Sequence, residues 1–303
     1  MSLSTFLELV EFKAKSASVF PFIVGLFFSW YFLNSTNPIY AILFFIAMFL
    51  FNMFVDIWDN YNDYQHSDQE DFKKGTNVIG RKHISLNLLR TIMSLMFIPS
   101  ALIGIYLTYE VGLPLLWMGL FCFLIGLLYA AGPLPISNTP FGELVSGFTM
   151  GVMIVVISVY INSYQIFTWT PHLLWHIFLA ASPEFVWIGN IMFANNICDA
   201  QEDEKNHRHT IVHYLGVKHS VLLWNIANIL AILLVFLAIY INVYPITLIS
   251  ILLPLPFIIK QMKLFTHEQI KVKTFVCSVK ILISGSLGLC LGFLIYWIYS
   301  FFA

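Results

Sequence analysis

Nine apolar runs of about bilayer-spanning length, the first short and the second and sixth trimmed at their ends by acidic motifs, dominate this chain of 303 residues. They lie at approximately 19–33, 39–59, 86–108, 113–132, 141–163, 172–197, 219–241, 243–259 and 279–301. About 20 apolar residues cross a hydrocarbon core of roughly 30 Å. Inside that core every backbone N–H and C=O must find a partner within the protein, which leaves helices and closed barrels. The runs are continuously apolar and do not alternate, so helices are expected and a barrel is not. Only 10% of the residues are charged, against about 25% in soluble domains. The fold class expected is all-α, a polytopic membrane protein.

The basic residues test the span count separately. With the N-terminus inside, nine spans place residues 60–85, 133–140, 198–218 and 260–278 on the cytoplasmic side. All 15 Lys and Arg then fall on or beside that side, and the outer links near 34–38, 109–112, 162–171 and 242–244 contain none. This asymmetry predicts a multi-pass cell-membrane protein with a cytoplasmic N-terminus and an external C-terminus. Membrane lipid is the surrounding partner; without a basic domain, nucleic acid is not expected as one. The N-terminal stretch runs straight into the first span with no evident cleavage site, so a cleavable signal peptide is not expected. Cys122, Cys198, Cys277 and Cys290 lack metal-ligand spacing, and disulfides are not expected.

Two acidic clusters interrupt this apolar chain, each where a long run meets a polar loop. The first is Asn52, Asp56, Asp59 and Asp63, followed by Asp68 and Asp71. The second is Asn195, Asn196, Asp199 and Asp203, followed by Arg208. At 100° per residue, Asn52, Asp56, Asp59 and Asp63 fall within about 60° of one another, and Asn196, Asp199 and Asp203 do likewise. Carboxylates at membrane level are costly without partners, and hard cations are the natural ones. Mg²⁺ keeps few protein ligands and takes the others from water and phosphate, so two such faces across a cavity suit a diphosphate. Lys73, Lys74, Arg81, Lys82, Lys205 and Arg208 occupy the same two loops, where they can grip phosphate oxygens. A diphosphate site beside lipid points to an isoprenyl diphosphate, whose tail prefers hydrocarbon.

Other residues carry competing readings. Glu184 is an acidic residue deep in the sixth run, a functional candidate by position or a glutamate hydrogen-bonded between helices. His172 and His176 have metal spacing but sit at the outer end of that run, which favours an interfacial role. His207 and His209 read as solvated loop residues. Gly132, Pro133, Pro135 and Pro140 mark breaks around the fourth and fifth runs. Pro183 is expected to interrupt the sixth run, and Pro254 and Pro256 to kink the eighth. The chain reads as one membrane-embedded domain over 1–303, with pseudo-repeated four-helix blocks at about 15–140 and 141–260 and a ninth helix.

The stretch Asn52-Met-Phe-Val-Asp56-Ile-Trp-Asp59-Asn-Tyr-Asn-Asp63 resembles the first Asp-rich motif of the UbiA-type intramembrane aromatic prenyltransferases. Asn195-Asn196-Ile-Cys-Asp199-Ala-Gln-Glu-Asp203, with Arg208-His-Thr210, is similar to the second. Tyr129-Ala-Ala-Gly132-Pro133-Leu-Pro135 with Gly142-Glu143, and Lys74-Gly75 with Gly80-Arg81, resemble segments of the branch acting on 1,4-dihydroxy-2-naphthoate, the MenA type. The resemblance extends from about residue 15 to the C-terminus.

It implies nine helices around a central cavity, Mg²⁺ as cofactor, and prenyl transfer from an isoprenyl diphosphate to an aromatic acceptor. In the naphthoate branch, transfer is coupled to loss of the acceptor carboxylate. By the same resemblance, Asn52, Asp56, Asp59, Asn196, Asp199 and Asp203 hold metal and diphosphate, with Asp63 a further catalytic carboxylate. Lys74, Arg81, Lys205 and Arg208 bind diphosphate oxygens, and Asn195, Glu143 and Tyr129 stand on the substrate side. Val55 and Cys198 depart from the pattern, standing where the family usually has Asn and the branch usually has Arg. Other acceptors, such as 4-hydroxybenzoate, a porphyrin or a chlorin, are alternatives within the enzymes. A cation-coupled transporter is the alternative from another class.

Overall fold

The structure, a computed structural model, describes residues 1–66, 72–206 and 208–302, apart from the side chains of His66, Phe72 and Lys74. Among them there is helix and no strand. In chain order the helices are α1 (Leu3–Leu9), α2 (Ser16–Leu33), α3 (Pro38–His66), α4 (Val78–Arg81), α5 (Leu86–Val111), α6 (Leu113–Ala130) and α7 (Gly142–Ser146). They continue with α8 (Ile154–Ser163), α9 (Pro171–Cys198), α10 (Ala200–Lys205), α11 (Ile211–Tyr240), α12 (Leu255–His267) and α13 (Lys271–Phe302). A wide helical turn over Gly147–Met153 joins α7 to α8, and a tight one over Ile246–Leu252 precedes α12.

Eight of these segments are long and apolar enough to cross a membrane, and the pair Ile246–Leu252 and Leu255–His267, bent by 42°, makes a ninth if it is one span. The bend falls at Pro254, as the sequence predicts. Several helices outrun their apolar runs, and two of these differences bear on the motifs or on the path of the chain. No Gly or Pro lies between Ile39 and His66, so α3 continues well past residue 59 and carries the whole first acidic cluster on one helix. In α11, Gly216 takes φ 71°, a left-handed value that Cβ-bearing residues resist, and separates the first turns from the membrane-length part.

Pro183 does not interrupt α9, contrary to the sequence expectation. A proline frees the carbonyl four residues before it, here that of Leu179. The Ser182 hydroxyl donates to that oxygen at 2.8 Å, so the lost backbone bond is replaced within the same turn.

The chain divides into two compact units, the first comprising Met1–Lys15 with Ile39–Asn138 and the second Ser16–Pro38 with Thr139–Ala303. The first unit has its own core around Phe54, Ile57, Ile79, Leu89 and Met93. Trp58 Nε1 donates to the Leu127 carbonyl at 3.1 Å, tying α3 to α6. In α5 and α6 only 22% of the spanning window is buried, so most of their apolar surface faces outward. In water such exposure would be a liability; in lipid it is the expected state.

The second unit is built around α9, most of whose membrane-length stretch is buried. Asn190 and Trp224 exchange hydrogen bonds, side chain to carbonyl, at 3.0 and 3.1 Å, and Ser278 Oγ donates to the Asn190 carbonyl at 3.0 Å. These bonds clasp α9, α11 and α13 just ahead of the segment carrying the second acidic cluster.

Candidate active site

The first acidic cluster sits on the C-terminal half of α3. Along its polar end, Asn60 and Asn62 fold their side chains back onto the helix, donating amide N–H groups to the carbonyls of Asp56 and Trp58 at 3.0 and 2.7 Å. Asn77 anchors the following loop, donating to the Asn60 carbonyl at 2.9 Å and capping α4 through the Ile79 N–H at 2.9 Å. Gly80 is needed there: a Cβ would collide with the Lys73 carbonyl and lie 3.0 Å from the Tyr64 ring. The loop therefore packs directly against the tip of the motif helix.

Within this unit Lys15, only 5% exposed, is ion-paired to Asp56 Oδ2. The same ammonium donates to Asn52 Oδ1 at 2.6 Å and to the Asn52 carbonyl at 3.3 Å. Asp59 and Asp63 are half-buried on the same helix and engaged in contacts of their own. Tyr129, near the end of α6, is half-buried and also engaged. Arg81 is exposed and pairs with Glu8. Asp68, Asp71 and His207 lie outside the described residues, as does the side chain of Lys74.

The second cluster spans the junction of α9 and α10 in the other unit. Asp199 closes α9 with φ −93° and ψ 4°, and its carbonyl accepts from the Glu202 and Asp203 N–H groups, both at 2.8 Å. The chain thus keeps a near-helical path, and Asn196, Asp199 and Asp203 follow one another at about one turn each along the same face. Asn196 is buried and donates to Glu143 Oε1 at 2.8 Å, leaving Glu143 Oε2 buried without a partner. Half-buried Asn195 contributes its carbonyl to the Asp199 N–H at 2.9 Å. Glu143 lies in the first turn of the short α7, just before the wide turn at Gly147–Met153, a helix form that recurs at functional sites.

Asp203 is buried. Its Oδ1 lies 3.5 Å from Arg208 Nε, and its Oδ2 has no hydrogen-bond partner. Burial pushes its carboxyl up to about 6, against the opposing pull of the Arg208 guanidinium. Asp199 is ion-paired to Lys271, the first residue of α13, whose side chain is 52% exposed. Lys205 is exposed at the end of α10. Glu184 is fully buried in α9 and accepts from Ser286 Oγ at 2.7 Å, a hydrogen bond between α9 and α13. His172 and His176 lie in the first turns of α9, at the end opposite Asn195.

Lys15 and Lys271 are the residues the sequence reasoning missed. Both appear there only as part of the inner basic rim, because pairings 41 and 72 residues apart leave no trace in local spacing.

Among the described residues, no three His, Cys, Asp or Glu side chains converge to hold a metal ion. A closed protein cage of the structural-zinc kind is therefore absent from them. The donor set does fit Mg²⁺, which takes one or two carboxylates and completes its octahedron with water and phosphate. Asp203 Oδ2, buried without a partner, and Asp199, held by a half-exposed ammonium, are donors of that kind.

Membrane-length helices with a carboxylate-and-amide cluster at the end of one span in each unit place this chain among polytopic membrane proteins. The chain belongs to the UbiA prenyltransferase family, whose profile matches residues 18–276. It is 30% identical over 226 residues to 1,4-dihydroxy-2-naphthoate octaprenyltransferase of Bacillus subtilis, covering 71% of this chain and 67% of that protein. Its fold is shared by a UbiA homologue from Aeropyrum pernix (TM-score 0.70, 18% identity, 93% of this chain and 98% of that one). A UbiA homologue from Archaeoglobus fulgidus, solved with DMAPP and Mg²⁺, also matches (TM-score 0.63, 14% identity, 95% and 98%). The protein is thus a multi-pass membrane prenyltransferase, and the transporter alternative falls away.

Proposed function

We propose that this enzyme transfers a polyprenyl group from its diphosphate to 1,4-dihydroxy-2-naphthoate, with Mg²⁺ as cofactor. The observation that carries this reading is the 30% identity to the Bacillus subtilis enzyme of that activity, over 71% of the chain. The allylic C–O bond breaks with its electron pair leaving on the diphosphate, and an acceptor ring carbon forms the new C–C bond. That carbon loses its carboxylate as carbon dioxide, which returns the electrons to the ring and gives demethylmenaquinone in its reduced form. Bound Mg²⁺ supplies charge stabilisation to the departing diphosphate.

In this reading Asn52, Asp56 and Asp59 are metal ligands of the first motif and Asn196, Asp199 and Asp203 of the second, and Asp63 adds a further carboxylate to the first. Arg208, Lys205, Lys74 and Arg81 bind diphosphate oxygens. Tyr129, Glu143 and Asn195 serve the substrate side, Glu143 by holding the Asn196 amide in place. The N-terminus and both motifs face the cytoplasm, as the distribution of Lys and Arg supports.

The test is product formation by purified protein in detergent with Mg²⁺ and geranyl diphosphate. Carboxyl-labelled dihydroxynaphthoate should release labelled carbon dioxide in step with prenylated product, and 4-hydroxybenzoate should yield none. Prenylated hydroxybenzoate without reaction of the naphthoate would overturn the acceptor assignment and leave the family chemistry standing.

A further inference from the structure

The half-exposed lysine on the second motif has no role in the reading above. Lys271 is the first residue of α13. A cation in the first turn of a helix faces the positive end of the macrodipole and is disfavoured there. Its ammonium nevertheless sits on Asp199, whose side chain is 11% exposed. Asp199 thereby gains a partner for a largely buried charge, and it is also a carboxylate the metal requires. The lysine side chain itself keeps 52% of its surface open, so it can leave without a large desolvation change.

We propose that Lys271 is an exchangeable occupant of the second motif. In metal-free protein its ammonium neutralises Asp199 and competes with a divalent cation for that carboxylate. When the metal arrives with a diphosphate, Asp199 passes to the metal and the released ammonium binds a diphosphate oxygen. Lysine suits this exchange: it is a mobile point charge on a flexible stem, whereas arginine's rigid fork holds a carboxylate bidentately. The result is coupling. The metal alone meets a competitor, and the metal with diphosphate meets a ligand.

This inference rests on the metal and diphosphate reading above, and one experiment separates their failures. Mn²⁺ binding to the purified full chain is followed by electron paramagnetic resonance, first with Mn²⁺ alone and then with preformed Mn²⁺–pyrophosphate. In Lys271→Met, Mn²⁺ alone should bind more tightly, and the pyrophosphate complex more weakly, each by about tenfold, the scale of ordinary site coupling. Lys271→Arg keeps the charge and should move both affinities less. A lysine that merely supported the fold would shift both affinities in the same direction or neither, and either result overturns the proposal. If the wild-type protein binds neither form of Mn²⁺, the metal reading itself falls, and this inference with it.

Discussion

Both acidic motifs pair their first aspartate with a lysine, and the two pairs differ in how firmly they are held. In the first unit the Lys15 side chain is 6% exposed, and its ammonium reaches Asp56, Asn52 Oδ1 and the Asn52 carbonyl. An ammonium has three donors, and these contacts give all three an acceptor in a buried setting. In the second unit the Lys271 side chain is 52% exposed, and its partner is the Asp199 carboxylate. Breaking a buried, hydrogen-bonded pair leaves an uncompensated charge, whereas an exposed ammonium exchanges water for carboxylate at small net cost. The difference separates a fixed counter-ion that organises its helix from a movable one that can yield to a substrate.

The hardest blow to this contrast comes at Asp199. In Asp199→Asn the movable pair and the metal donor vanish together, and turnover should fall by about 10²–10³-fold, the scale of losing one charge-stabilising group. The protein should remain folded and inserted, since Lys271 can return to water. Steady-state turnover beside a thermal melt checks both halves; near-wild-type turnover with Mg²⁺ present would remove Asp199 from the chemistry.

The next effect belongs to the fixed pair and is read in stability. Lys15→Met leaves Asp56 without its ammonium and should cost roughly 3 kcal/mol, the order found when one partner of a buried pair is removed. Adding Asp56→Asn in the same chain should recover much of that loss. Thermal midpoints of the single and double variants measure the coupling; additive losses would mean that Lys15 acts through packing and not through Asp56.

What the sequence disclosed and what it concealed follow the same division. The stripe from Asn52 to Asp63 is legible because helical periodicity fixes which residues share a face, whatever the helix packs against. Its helix outruns the apolar stretch because hydropathy marks where lipid ends, not where backbone hydrogen bonding ends, and no Gly or Pro stops α3 before His66. Pro183 was expected to break α9 because a proline does remove a backbone bond; the Ser182 hydroxyl that replaces it is visible only once the helix is built. In the sequence Lys15 and Lys271 signal only topology, because their carboxylate partners are brought near by folding and not by spacing. Local chemistry was readable, and counter-ions supplied by distant segments were not.

A pH profile then sharpens the second motif. Burial favours the neutral acid at Asp203, raising it from 3.8 in the unfolded chain to about 6 in the folded protein. The folded state therefore holds this proton more tightly than the unfolded one. The associated stability is complete below about pH 4 and is lost as pH rises through about 6. In metal-free Asp203→Asn the thermal midpoint should vary less across that window than in the wild type. An unchanged slope would show that Arg208 already neutralises this carboxyl in the fold.

The smallest effect expected on stability lies back in the first unit, at Arg81. Its pair with Glu8 is exposed, 43% and 44% at the two side chains, so Arg81→Met should change stability by no more than about 1 kcal/mol. If Arg81 binds a diphosphate oxygen, the same variant should raise the KM for prenyl diphosphate, and the defect should shrink as salt rises, because screening weakens in the wild type the contact that the variant lacks. That combination, stable but poorly saturated, is the mark of a cation held in reserve by a weak partner, as Lys271 is in the second unit. An unchanged KM would leave the Glu8 pair as a surface contact, and within the first unit the charge chemistry would then centre on the buried lysine.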